Sequence, residues 1–173
     1  MSLKPEGKEI VEYDERSAGG LVYKQENNKT FWLLVKTTTD RKKKNGTGGN
    51  TKDNRIVYKF PKGHIQNKEF LKQTALREVE EEGQVKAKIV TKLGSNNYII
   101  WDKLQKKRII KKVTFFLMEY LSVSNLKHFD TEMVLARDWF TFEEAKEKLA
   151  YDSEKTLLKK AKSKLEALLK TKK

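Results

Sequence analysis

Residues 60–85 decide how this chain is read. Phe60-Pro61-Lys62-Gly63-His64-Ile65 leads within a few positions into Arg77-Glu78-Val79-Glu80-Glu81-Glu82-Gly83-Gln84-Val85. Leu71, Ala75 and Val79 recur at every fourth position, which predicts a helix from about Lys68 to Glu82, with Gly83 following its end. On that helix Glu78, Glu81 and Glu82 stand at i, i+3 and i+4, so their carboxylates crowd one face, while Glu80 points away. Like charges at that spacing destabilise an isolated helix, so the cluster makes physical sense beside a cation. Hard oxygen donors this close together suit Mg2+ or Mn2+. A glutamate run is more often a plain solvated face, but two neighbours weigh against that here. Arg77 can grip a carboxylate through both arms of its guanidinium. The turn Lys62-Gly63-His64 lets a backbone carbonyl approach an ion closely.

Composition narrows the surroundings of this segment. The 173 residues carry 38 Lys plus Arg against 24 Asp plus Glu, a net charge of +14. The length fits a single domain over 1–173 with a proper core. No cysteine is present, which excludes disulfides, thiolate metal sites and a Cys nucleophile. Two histidines, His64 and His128, are too few for a His-rich zinc centre. No apolar run reaches membrane-spanning length and the N-terminus has no apolar signal core, so the expectation is a cytoplasmic protein without membrane contact. The excess positive charge points to anionic partners.

The charge is unevenly spread. Residues 37–55 read as a flexible basic insertion between two strands, and 153–173 as a lysine-rich amphipathic helix burying Leu157, Ala161, Leu165 and Leu168. A helix beginning at Thr141 has a capping box through Glu144. Strands are expected at Gly20–Tyr23 after a small-residue turn at Ala18-Gly19, at Thr30–Val35 buried on both faces, and at Ile56–Phe60. Further strands are expected at Ile89–Leu93, Tyr98–Trp101 and Ile109–Tyr120, with a hairpin turn at 105–108. Trp32 and Trp139 read as core. Strands and helices interleave without regular alternation, giving an α+β class with a mixed sheet and helices on its faces. The glycine tract Gly46 to Lys52 fits neither common phosphate-loop pattern.

The spacing in residues 63–85 resembles the signature of the Nudix hydrolases, Gly-x5-Glu-x7-Arg-Glu-U-x-Glu-Glu-x-Gly-U, where U is a bulky aliphatic residue. Gly63, Glu69, Arg77, Glu78, Val79, Glu81, Glu82 and Val85 fall at the required offsets. Six fixed Gly, Glu and Arg positions match by chance on the order of once in ten million. Gln84 stands in place of the second glycine and Gly83 one place earlier, which reads as a helix cap shifted by one residue. The likeness extends from about 16 to 165. It takes in Ser17-Ala18-Gly19-Gly20 followed by a first strand, Trp32-Leu33-Leu34-Val35 as a second, and Trp139-Phe140 with the following helix as a late pair. Phe60-Pro61-Lys62-Gly63-His64, Tyr98 and Phe115 to Glu119 are similar to the branch that cleaves diadenosine polyphosphates, although Pro-Lys-Gly-His also occurs in relatives acting on other substrates.

The resemblance implies an α/β/α sandwich with a catalytic loop-helix-loop. It implies metal-dependent cleavage of a phosphoanhydride in a small anionic nucleotide, with Mg2+ or Mn2+ held by Glu78, Glu81, Glu82 and the carbonyl of Gly63. Glu78 or Glu82 doubles as the base, and Arg77 and Glu69 hold the ligands in place. Glu132 is the candidate for a further ligand, with an ordinary loop acid as the rival reading. Lys62 and His64 are candidate phosphate contacts and Tyr98 a candidate base-stacking surface, against the plainer readings of a solvated lysine, a structural histidine and a core tyrosine. Alternatives are nucleoside triphosphate pyrophosphohydrolysis, removal of pyrophosphate from RNA 5′ ends, and a non-catalytic RNA-binding module. Nucleic acid is compatible with the charge but not required by it, and the chain is expected to be a monomer or homodimer.

Overall fold

The computed structural model describes residues 15–41, 53–102, 106–126 and 134–172. Seven strands form one mixed sheet. They are β1 (Glu15–Glu26), β2 (Lys29–Arg41), β3 (Asp53–Lys59), β4 (Lys62–His64), β5 (Val85–Asp102), β6 (Lys107–Val123) and β7 (Val134–Phe140). The order is β3-β2-β1-β6-β5, with β4 pairing β1 and β7 pairing β2. Only β1 and β6 run parallel among these pairs; the others are antiparallel. The helices are α1 (Leu71–Gly83), α2 (Phe142–Lys148) and α3 (Asp152–Thr171). None of the described helices is long and apolar enough to cross a membrane.

Strand alternation splits the interior into two cores. Leu21 and Tyr23 of β1, Trp32 and Leu34 of β2, and Val113, Phe115 and Leu117 of β6 face α2 and α3. Ala18, Val22, Leu33, Phe116 and Met118 face the other way, onto Ala75 and Val79 of α1. The expected α+β sandwich is therefore the observed one. Trp32, Leu33, Leu34 and Val35 are all buried, as a strand covered on both faces requires. Trp139 is half-buried, edge-on to Tyr120. At α2, Thr141 caps the helix and the Glu144 carboxylate accepts from the Thr141 N–H at 2.8 Å, the expected capping box.

Several boundaries differ from expectation for identifiable reasons. Ala18-Gly19 is not a turn but lies inside β1. Its neighbour Gly20 is small because a Cβ there would press on Val79 and Met118 at 2.7 Å, so α1 can pack close against the strand. The helix begins at Leu71, three residues later than the periodicity indicates, because Lys68 takes φ +67° in a turn. The segments expected at 89–93 and 98–101 are one long β5 carried through bulges, one of them at Gly94. β5 and β6 pair antiparallel out to Asp102 and Lys107, so Lys107 and Arg108, expected in a turn, belong to β6, while 103–105 lie outside the described residues. β2 and β3 reach into the basic tract, pairing Thr37 with Val57 and Arg41 with Asp53; its remainder, 42–52, lies outside the described residues. On α3 the buried stripe is Leu157, Leu158, Ala161 and Leu165, whereas Leu168 in the penultimate turn is over a third exposed.

The end of α1 corrects the reading of Gly83 and Gln84. Gly83 is helical, and a Cβ on it would meet Leu33 Cδ2 at 2.9 Å, so its smallness serves packing. The left-handed cap falls on Gln84 at φ +52°, with its N–H donating to the Glu80 carbonyl at 3.0 Å. The cap is thus unshifted, and a non-glycine residue bears the conformational cost. Gln84→Gly is expected to stabilise the fold by about 1 kcal/mol, read as a rise of roughly 2–4 °C in the thermal unfolding midpoint.

Candidate active site

The acids of α1 are organised by one cation. Arg77 Nε donates to Glu69 Oε1 at 2.7 Å and its Nη2 to Glu69 Oε2 at 3.0 Å. Its Nη1 reaches Glu78 Oε1 at 2.6 Å and Glu81 Oε2 at 2.9 Å, and Nη2 also donates to the His64 carbonyl at 2.9 Å. The guanidinium therefore relieves the repulsion that the helical spacing builds in. Glu69 also accepts from the Gln66 N–H and the Thr74 hydroxyl. Its carboxyl is held down to about 2, first by the Arg77 hydrogen bond and then by these two donors, which outweigh burial. Arg77 is correspondingly raised above its usual range, chiefly by Glu69.

Glu82 and Glu80 are used differently. Glu82 is 4% exposed; its Oε2 accepts from the Lys62 N–H at 3.0 Å and its Oε1 lies 3.8 Å from Lys59 Nζ. Arg137 Nε donates to the Glu82 carbonyl at 2.6 Å, satisfying one of the open carbonyls at the end of α1. Glu80 turns away, accepting from the Ser124 hydroxyl at 2.7 Å.

The three residues of β4 divide the site between the two faces of the sheet. Lys62 pairs with Gly19, Gly63 with Ala18 and His64 with Ser17, and directly opposed residues share a face. Gly63 thus lies on the α1 side, where a Cβ would collide with the Glu78 carboxylate. Lys62 and His64 lie on the α3 side. His64 Nδ1 is 3.2 Å from Ser17 Oγ, and its Nε2 is 3.5 Å from Lys111 Nζ. Lys111 pairs across the ladder with Tyr98, which is half-buried against the α3-side core with its hydroxyl 3.3 Å from Ser153 Oγ. Lys62 is pushed down from the usual lysine range by burial and then by Lys59, against the opposing pull of Glu154 and Glu82.

The structure thus brings Gly63, Glu69, Arg77, Glu78, Glu81 and Glu82 together, with Lys62, His64 and Tyr98 on the opposite face. Glu132 and His128 lie outside the described residues. Lys59, Lys111, Arg137 and Glu154 are part of the same neighbourhood and carry no local sequence signal; only the strand register and the packing of α3 bring them in. As oxygen donors, Glu78, Glu81, Glu82 and the Gly63 carbonyl suit a hard divalent cation, and the missing side chain of Gly63 leaves the Glu78 carboxylate room against the strand. Among the described residues no three acids or histidines are already gathered around one point. Arg77 stands between Glu78 and Glu81, so gathering them on an ion requires side-chain rotation.

The NUDIX domain family model matches residues 14–160, which contain this whole arrangement. The chain belongs to the Nudix family. A Mycobacterium tuberculosis protein (strain CDC 1551 / Oshkosh), provisionally named mutator protein MutT4, is 34% identical over 103 residues. That match takes in 60% of this chain, and the chain spans only 40% of the length of that relative. Among solved structures, a C. elegans Ap4A hydrolase binary complex superposes with a TM-score of 0.63 at 21% identity, covering 88% of this chain and 98% of that one. A NUDIX hydrolase from Nitrosomonas europaea gives 0.61 at 17% identity, covering 86% and 88%. At these identities the Nudix structures share the fold with this chain.

The Arg77–Glu69 pair yields a pH-dependent expectation. A carboxylate depressed in the folded state contributes stability above its unfolded value near 4.5 and loses it as pH falls toward about 2. Glu69→Gln should cost about 1–2 kcal/mol at pH 7. In thermal melts the gap to the parent should narrow steadily below pH 4.5.

Proposed function

We propose that this Nudix protein hydrolyses a phosphoanhydride bond in a nucleoside-diphosphate-linked substrate, most concretely a diadenosine polyphosphate. The observation that carries the reading is the division at β4. Gly63 abuts the glutamates of α1, while one residue to either side Lys62 and His64 face the cationic side with Lys111. A polyphosphate chain needs both: oxygen ligands for a divalent cation, and positive side chains for its own charge.

Glu78, Glu81 and Glu82 with the Gly63 carbonyl would hold Mg2+ or Mn2+, with Glu132 as a further candidate ligand. Such an ion neutralises phosphate charge and acidifies water when bound. Lys62, His64 and Lys111 receive the phosphate chain. Glu78 or Glu82 takes a proton from the attacking water; water oxygen bonds to phosphorus, the bridging oxygen departs with the other fragment, and two phosphate-ended products result. Arg77 and Glu69 keep the carboxylates aimed. Tyr98 is the candidate surface for a base, its ring being partly covered by the α3-side core.

The diadenosine polyphosphate assignment rests on the Phe60-Pro61-Lys62-Gly63-His64 string with Tyr98. The provisional mutator name of the M. tuberculosis relative favours a second reading, pyrophosphate removal from a nucleoside triphosphate. A panel of dinucleoside polyphosphates, oxidised nucleoside triphosphates, inositol pyrophosphates and triphosphorylated RNA, assayed with Mg2+ or Mn2+, separates them. The first class is expected to be turned over fastest; preference for a triphosphate would favour the second reading. Glu82→Gln is expected to reduce turnover by about 100-fold or more with an unchanged circular dichroism spectrum. Near-normal activity in that variant would remove Glu82 from the site.

A further inference from the structure

Glu154 is the one charged side chain on the buried stripe of α3, in line with Leu157, Leu158, Ala161 and Leu165. It is 1% exposed. Its Oε1 accepts from the Phe60 N–H at 3.4 Å, a long bond, and its Oε2 has no hydrogen-bond partner. A carboxyl placed there costs desolvation that an apolar residue of similar volume would not, so packing alone gives no reason for it.

Its partner explains more. Phe60 lies between β3 and β4, next to Pro61, which has no N–H to give. The Pro61 carbonyl accepts from the Gly20 N–H at 3.1 Å, and the next donor, the Lys62 N–H, goes to Glu82. The segment 60–62 is thus suspended between β1 and two carboxylates, Glu82 from α1 and Glu154 from α3. Directly after it come Gly63 and His64. Around the two carboxylates lie Lys59 and Lys62, whose charges both favour ionised Glu154, while burial pushes the carboxyl up to about 7.

We propose that Glu154 is a positioning residue of the reaction: from α3 it holds the Phe60–Lys62 segment in the conformation that presents Lys62 to the phosphate chain and keeps the Gly63 carbonyl beside the glutamates of α1. This rests on the hydrolase reading above. It makes the C-terminal helix part of the catalytic unit.

Three variants test it. Glu154→Met matches the volume without an acceptor, Glu154→Ala removes the side chain should Met pack badly, and Glu154→Gln keeps an oxygen for the Phe60 N–H. With diadenosine tetraphosphate and Mg2+, Met and Ala should lower kcat tenfold or more with KM changed less than threefold. Gln should retain at least a third of kcat. Hydrogen exchange should quicken across 60–63 in the Met and Ala variants and not in Gln, while the Met variant melts at or above the parent temperature. A purely structural role predicts the reverse: lower melting and unchanged kcat per folded molecule, which would overturn the proposal. Gln as damaging as Met would also overturn it. If the parent protein cleaves no phosphoanhydride, the hydrolase reading fails, and exchange across 60–63 still decides whether Glu154 holds the segment.

Discussion

A single guanidinium holds the site's architecture together. Arg77 bonds Glu69, Glu78, Glu81 and the His64 carbonyl, so it ties the loop ahead of α1 and the strand β4 to the helix in one step. Without a cation there, carboxylates at i, i+3 and i+4 repel, and the loop between β4 and α1 loses its strongest attachment to the helix. Glu82 escapes this grip and turns to the Lys62 N–H and Lys59. The helix therefore carries three kinds of acid: a pair held by arginine, one nearly buried carboxylate engaged with the segment that leads into β4, and Glu80, which turns away to Ser124.

The second constraint is the alternation of a three-residue strand. Lys62, Gly63 and His64 alternate across the sheet, so an acidic neighbourhood and a cationic one sit back to back with one glycine at their boundary. The net charge of +14 takes on a local meaning from this. Among the described residues, Lys59 Nζ comes within 3.8 Å of Glu82 and the Lys62 N–H bonds it, while Lys111 stands beside His64 on the other face, so both signs of charge flank this strand.

Sequence spacing made α1 and its acids legible, because helical period and charge crowding are local properties. The capping box at Thr141 was legible for the same reason. Glycines were less informative: Gly19 and Gly83 resemble turn and cap signals, yet a Cβ on Gly19 would strike Pro61 and Lys62 and one on Gly83 would strike Leu33, residues distant in sequence. Gln84 shows the converse, a left-handed cap with no glycine to announce it. Lys111, Arg137 and Glu154 could not be read from spacing at all, since their places depend on the β1–β6 register, the β2–β7 pairing and the docking of α3. Likewise the helical stripe of α3 showed which face turns inward, but not that a carboxyl on it would be tied to Phe60.

The claim on which the functional reading depends is that the glutamates of α1 hold a divalent cation. Binding of Mn2+ to the full chain, followed by electron paramagnetic resonance of the free ion, tests this without any substrate. The account predicts saturable binding in the parent protein that is competed by Mg2+ and is strongly weakened when Glu78 and Glu82 are both changed to glutamine. Binding that is absent in the parent, or equally strong in the doubly substituted chain, would contradict it.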